Sequence, residues 1–226
     1  MAAAPSGKDK KPSKQFTQLG GTPILIHTLR KFAASPEVDE IFIALRKSEI
    51  PGFREQLEKS KDVLQKKVHT VEGGEQRQQS VANALASVSA SQDDIILVHD
   101  AVRPFVTPEI IHQVINAAKK YGAAIAGMPA VDTVKQVDRT AEGAVITTTI
   151  PREKVVMAQT PQGFQYKVIR KIFDEATADG FIGTDEASLA ERSGHQVAVV
   201  MGSPRNIKIT TPADLELAEF YLKAAS

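Results

Sequence analysis

The 226-residue sequence contains no cysteine. That excludes a disulfide framework, a thiolate zinc site and a cysteine nucleophile together. A charge bias is also missing, since 28 Lys and Arg stand against 27 Asp and Glu. With no basic surplus, nothing asks for a nucleic-acid partner. Long apolar runs are absent too: none approaches the ~18 residues that a membrane span requires, and the polar start does not read as a secretory signal. The expectation is a soluble cytoplasmic protein with no membrane partner. What is present is ordinary globular material, 42% hydrophobic and 24% charged, enough for one packed domain.

Short β-rich runs alternate with helical patterns. Glu40–Leu45, Lys67–Glu72, Asp94–Asp100 and Ala123–Met128 are apolar on both faces, as buried parallel strands are. Between them, "TPILIHTLRKFAAS", "RQQSVANALASVS" and "TPEIIHQVINAAKKYG" repeat apolar residues at three- and four-residue spacing. Thr22-Pro23, Thr107-Pro108 and Thr211-Pro212 each set a hydroxyl cap before a proline at the first helical position, and Gly122 suits a helix C-terminus. This alternation predicts an α/β fold with a mostly parallel sheet flanked by helices. One segment departs from it. Val131–Val137 and Ala144–Ile150 are β-prone runs joined without a helix, which predicts an antiparallel hairpin; their threonines make a poor core, so the hairpin is expected to project.

Three stretches carry chemistry. "IILVHDAVRPFVTPEI" ends a strand at Asp100, with Arg103 three residues on and a capped helix following. In open α/β sheets ligands lie beyond the carboxyl ends of the strands, where a carboxylate can hold a divalent cation and a guanidinium can steady phosphate oxygens. The same two residues also suit a structural pair bracing the loop, and the stretch alone does not choose. "EGGEQRQQSV" places paired glycines before a helix, so backbone amides can approach a flat ligand, with Arg77 and Ser80 able to donate from the first turn. In "NIKITTPADL", Lys208 stands between two isoleucines on a predicted strand, which turns its ammonium toward the site or leaves it as a charged gatekeeper on an edge strand. Thr184 in "GTDEAS" reads as a helix N-cap.

Together, "SKQF", "GGTPILIHTL", "EGGEQRQQSV", "VHDAVRPFV", "VDTVK", "AQTPQGF", "TDEAS" and "NIKITTPADL" resemble, in order and spacing, the 2-C-methyl-D-erythritol 4-phosphate cytidylyltransferases. The resemblance runs from about Ala2 to Leu222. It implies a nucleotidyltransferase fold similar to nucleotide-diphospho-sugar transferases, with residues 1–226 as one domain. It also implies magnesium or another divalent cation, CTP and a sugar-alcohol phosphate as partners, and a homodimer joined through residues 131–152. By position, Lys14 and Lys208 match lysines acting on the phosphates. Asp100, Ala101 and Arg103 match the nucleotide site, with Asp100 at the metal. Gly74, Glu75 and Ser80 match the cytosine-reading segment, and Thr133, Arg152, Thr160 and Thr184 match positions around the methylerythritol phosphate. Arg152 is expected to act catalytically beside the two lysines.

Ala3, Ala4, Gly7 and Lys8 match the loop around the triphosphate. There Pro5 stands in place of a glycine, which removes a backbone donor, and Lys8 substitutes for an arginine. The apolar strand that opens family members is expected to be missing. Transfer to another polyol phosphate such as ribitol 5-phosphate by the same machinery is one alternative, and the altered loop leaves open a second, nucleotide or partner binding without catalysis.

Overall fold

The computed structural model describes residues 13–60 and 66–224. Ala3, Ala4, Gly7 and Lys8, together with the question of an opening strand, lie outside the described residues. After a single 3-10 turn at Lys14–Phe16 comes a small antiparallel pair, β1 (Gln18–Leu19) and β2 (Thr22–Pro23), followed by α1 (Ile24–Ala33) and β3 (Glu40–Leu45). Next come α2 (Ile50–Lys59), β4 (Lys67–Glu72), α3 (Arg77–Ala86), β5 (Ile95–Val98), α4 (Pro108–Tyr121) and β6 (Ala123–Pro129). The hairpin β7 (Val134–Thr140) and β8 (Gly143–Ile150) leads into β9 (Val156–Gln165) and α5 (Tyr166–Ala178). Then follow α6 (Glu186–Arg192), β10 (Ala198–Met201) and α7 (Pro212–Ala224).

Four strands form the main sheet in the order β10-β6-β9-β5. β10 is parallel to β6, whereas β9 is antiparallel to both of its neighbours, so β5, β6 and β10 share one direction. The reversal of β9 follows from its connection. It returns from β6 through a hairpin, without the crossover that a parallel return demands. β3 and β4 form a separate parallel pair, and among the described residues β3 and β5 each keep one edge without a ladder partner.

Side chains alternate across the main sheet into two cores. Ile95, Leu97 and Ala126 face Ile110, Ile111 and Val114 of α4, while Ile96, Val98 and Ala123 face Val168, Ile169 and Ile172 of α5 and Leu189 of α6. Helices therefore cover both faces, and the α/β class expected from the alternation holds. Gly163 lets α4 lie close against β9, because a Cβ there would collide with Val114 and Leu97.

Several local expectations need correction. Thr107 does cap α4, its side chain accepting from Ile110 N at 3.3 Å, and Thr211 accepts from Asp214 N at 3.2 Å. Thr22, by contrast, belongs to β2, and Pro23 occupies the N-cap of α1 without a side-chain bond. The cap of α6 is Asp185 rather than Thr184. No strand contains Lys208, although Ile207 and Ile209 pack together beneath it as the alternation requires. The hairpin forms as expected and is exposed at nearly every position.

Candidate active site

A cleft of about 200 Å³ lies beyond the carboxyl end of β5. The segment after β5 delivers Asp100 and Arg103, the first turn of α3 delivers Arg77, and the approach to α6 delivers Thr184 and Asp185. β9 contributes Gln159, Thr160 and Gln162, and the segment between β10 and α7 contributes Lys208.

Asp100 is the centre of charge. Its side chain is only 10% exposed, and three cations surround it: Arg77 Nε lies 3.3 Å from Oδ1, Arg103 Nε 3.3 Å from Oδ2, and Lys208 Nζ 3.0 Å from Oδ2. Burial works to raise the carboxyl's pKa, but Lys208, Arg77 and Arg103 overcome it and hold the group below the usual carboxylate range. Arg77 also makes a fork onto Glu186, with Nη1 at 2.6 Å from Oε1 and Nη2 at 2.9 Å from Oε2. Glu186 is fully buried at the start of α6. Burial opposes the charged guanidinium, and the two carboxylates more than reverse that, so the Arg77 pKa is raised. Arg103 is pinned further by donating from Nη1 to the Asn206 carbonyl at 2.7 Å.

A second network fixes the backbone of Asp100. His99 Nε2 lies 3.1 Å from the Arg103 carbonyl, which can only accept, so Nε2 carries the proton. Nδ1 then accepts from the Thr160 hydroxyl at 3.1 Å, and that hydroxyl oxygen accepts from Asp100 N, also at 3.1 Å. Burial drives the His99 pKa from 6.5 to about 4, so the ring is neutral near pH 7.

Six residues singled out in the sequence thus meet in one cleft: Arg77, Asp100, Arg103, Thr160, Thr184 and Lys208. Thr160 is 5% exposed and its hydroxyl is turned toward His99, a bracing arrangement rather than an open contact. The other described ones lie outside the cleft lining. Lys14 Nζ donates to the Thr210 carbonyl at 2.7 Å, two residues from Lys208. Gly74 N donates to Ser80 Oγ at 3.0 Å and Glu75 N to Gln79 Oε1 at 3.0 Å, so the glycine segment is folded onto the start of α3 beside Arg77. The Ala101 carbonyl accepts from Thr28 at 2.8 Å. Thr133 and Arg152 are exposed at the base of the hairpin, where Arg152 Nη1 donates to the Val131 carbonyl at 2.9 Å. Gln159 and Gln162 lie within "AQTPQGF" and Asp185 and Glu186 within "TDEAS", yet the sequence assigns none of the four a role, and it singles out Arg77 only for its place in a first turn.

Comparison with known proteins finds relatives along nearly the whole chain. The profile of the family described as 2-C-methyl-D-erythritol 4-phosphate cytidylyltransferase matches residues 1–224. A protein of that name from Acidobacterium capsulatum is 58% identical over 213 residues, spanning 94% of this chain and 88% of the relative. One from Solibacter usitatus is 52% identical over 210 residues, spanning 93% and 85%. Among solved structures, 4-diphosphocytidyl-2C-methyl-D-erythritol synthase from Anaerococcus prevotii superposes with a TM-score of 0.82 at 33% identity, covering 91% of this chain and 88% of that one. The Francisella tularensis cytidylyltransferase gives 0.79 at 37% identity, covering 92% of each chain.

Proposed function

The chain belongs to the 2-C-methyl-D-erythritol 4-phosphate cytidylyltransferase family, and from that premise we propose how its cleft carries the reaction. The enzyme transfers CMP from CTP to 2-C-methyl-D-erythritol 4-phosphate, giving 4-diphosphocytidyl-2-C-methyl-D-erythritol and pyrophosphate. The phosphate of the sugar alcohol attacks the α-phosphorus of CTP and the bond to pyrophosphate breaks. A phosphate monoester dianion is already nucleophilic near neutral pH, so no side-chain nucleophile is needed. Catalysis reduces to alignment and to neutralising the charge that builds on phosphorus and leaving group.

The observation that carries this reading is the set of cations around Asp100. Lys208, Arg103 and Arg77 converge on a single carboxylate, and phosphate oxygens arriving in the cleft meet the same three donors. Lys14, next to the Lys208 segment, serves the triphosphate from the rim. Thr184, freed from capping by Asp185, offers its hydroxyl to the sugar-alcohol substrate.

Magnesium fits the donor set. Asp100 Oδ1 bears a single contact, from Arg77, and keeps a second lone pair to offer. No cluster of three or more metal-ligating side chains exists among the described residues. A single carboxylate completed by substrate phosphates and water is how Mg²⁺ is commonly held. When bound, it would offset triphosphate charge beside Asp100.

The hairpin favours a homodimer. Val137, Val145 and Ile146 expose 41%, 60% and 60% of their surface on strands that cover no core of their own chain. A second hairpin is the simplest cover for them. No described helix is long and apolar enough to cross a membrane, and the enzyme works in the cytoplasm as one nucleotidyltransferase domain with residues 131–152 as its arm. Pyrophosphate release from CTP with methylerythritol phosphate, run beside ribitol 5-phosphate, tests the assignment. Turnover confined to the first supports it. Preference for ribitol 5-phosphate, or CTP binding without turnover, refutes it.

A further inference from the structure

Residues 202–211, between β10 and α7, lie outside every helix and strand, yet this segment carries Lys208 to the cleft. No ladder fixes its backbone, so its hydrogen-bond partners must be found elsewhere. Gly202 N donates to the Gly127 carbonyl at 2.8 Å where the segment leaves β10, and Asp214 accepts from Thr210 N and Thr211 N where it enters α7; three further anchors hold the part around Lys208. Ile209 N donates to the Val102 carbonyl at 3.0 Å, beyond the lysine. Asn206, fully buried, donates from Nδ2 to the Thr160 carbonyl at 2.9 Å, and its own carbonyl accepts from Arg103. The third anchor is Gln159. Its Nε2 donates to the Ser203 carbonyl at 2.9 Å, while its Oε1 accepts from Ser203 N and Asn206 Nδ2, each at 3.2 Å.

One carboxamide therefore holds both ends of the turn that precedes Lys208. Gly202 makes the approach possible, because a Cβ there would collide with Gln159 Oε1. Lys208 is 43% exposed at its side chain, so packing alone does not aim its ammonium. We infer that Gln159 is a positioning residue that clasps the turn at Ser203 and Asn206 and so sets Lys208 against Asp100 and the reacting phosphates. Groups that hold a catalytic side chain within a fraction of an ångström act on rate more than on affinity.

The inference rests on the reading of Lys208 as a phosphate-stabilising group, and a double-mutant cycle separates the two. kcat and the KM for CTP are measured for the parent, Gln159→Leu, Lys208→Ala and the double variant, with folding followed by thermal melts. Gln159→Leu is expected to lower kcat roughly 10-fold or more, with KM changed by less than about twofold. In the Lys208→Ala background the same change should cost nothing further, because the group being positioned is gone. Equal losses in both backgrounds, or no loss in either, would overturn the clasp while leaving Lys208 in place. A Lys208→Ala chain that turns over like the parent sinks the lysine assignment, and the clasp with it. Should Gln159→Leu fail to fold, Gly202→Ala displaces the same carboxamide from the turn side, and the same non-additivity is required of it.

Discussion

Asp100 carries two duties that substitution can separate. As the hub of Arg77, Arg103 and Lys208 it braces the cleft, and as a carboxylate beside triphosphate it needs a cation to accept the nucleotide. Asp100→Asn keeps the shape and removes the charge. If the carboxylate works through magnesium, calorimetric titration of CTP into Asp100→Asn should show affinity that no longer rises with magnesium. An undiminished magnesium response would leave only the bracing role. His99, directly before it, makes a separate pH prediction. Its folded pKa of about 4 lies below the ordinary 6.5, so between those values the unfolded chain binds the extra proton. Stability from this group is therefore full above pH 6.5 and is lost as pH falls toward 4, by about 3 kcal/mol at most. Asp100, with its lowered pKa, gives way only at lower pH still. Urea unfolding of the parent and of His99→Gln from pH 7 to 4 should show the parent losing more; parallel curves would contradict a neutral buried ring.

At the level of elements, α6 is tied to the cleft by its first turn. Asp185 accepts from Ser188 N at 2.9 Å, and the next residue, Glu186, carries its charge into the interior against Arg77. Neutralising that buried partner leaves the guanidinium short of a counter-charge, so Glu186→Gln should cost roughly 2–4 kcal/mol in urea unfolding. Glu175→Gln, which breaks an exposed pair with Lys171 at 3.7 Å, should cost less than about 0.5 kcal/mol. Comparable losses would show that burial does not set the worth of the Arg77 fork. The cap of α6 was legible in principle. "TDEAS" offers two adjacent candidates, but only Asp185 has a serine three residues on to complete a capping box, whereas Thr184 has Ala187. β9 was not legible as a strand, because Pro161 and Gly163 run against strand propensity and its pairing with β5 and β6 is long-range. Arg103 and Asp100, three residues apart, could be matched from spacing. Arg77 and Glu186, 109 positions apart, could not. Lys208 lines the cleft without the strand that its alternation predicts, since its isoleucine neighbours are packed as the alternation requires while no ladder supports them.

On the scale of the whole molecule, the cleft and the hairpin are in tension. Arg152 stands at the hairpin base, exposed and bonded to its own Val131 carbonyl, and it does not line the cleft of its own chain. A planar guanidinium suits bidentate capture of a phosphate, which a solvated surface position wastes. The apolar residues along β7 and β8 resolve the tension if the arm crosses to a second chain and carries Arg152 to the partner's cleft. Complementation tests this arrangement. Chains bearing Arg152→Ala and chains bearing Lys208→Ala are each expected to lose most of their turnover. Dissociated together and reassociated, they form mixed dimers in which one cleft keeps Lys208 of its own chain and receives an intact Arg152 from its neighbour. Half of all dimers from an equal mixture should be of this kind, about as random pairing gives, each with one sound cleft, so activity should return to roughly a quarter of the parent's. If verified heterodimers stay as inactive as the two separate variants, Arg152 serves its own chain and the arm does not cross.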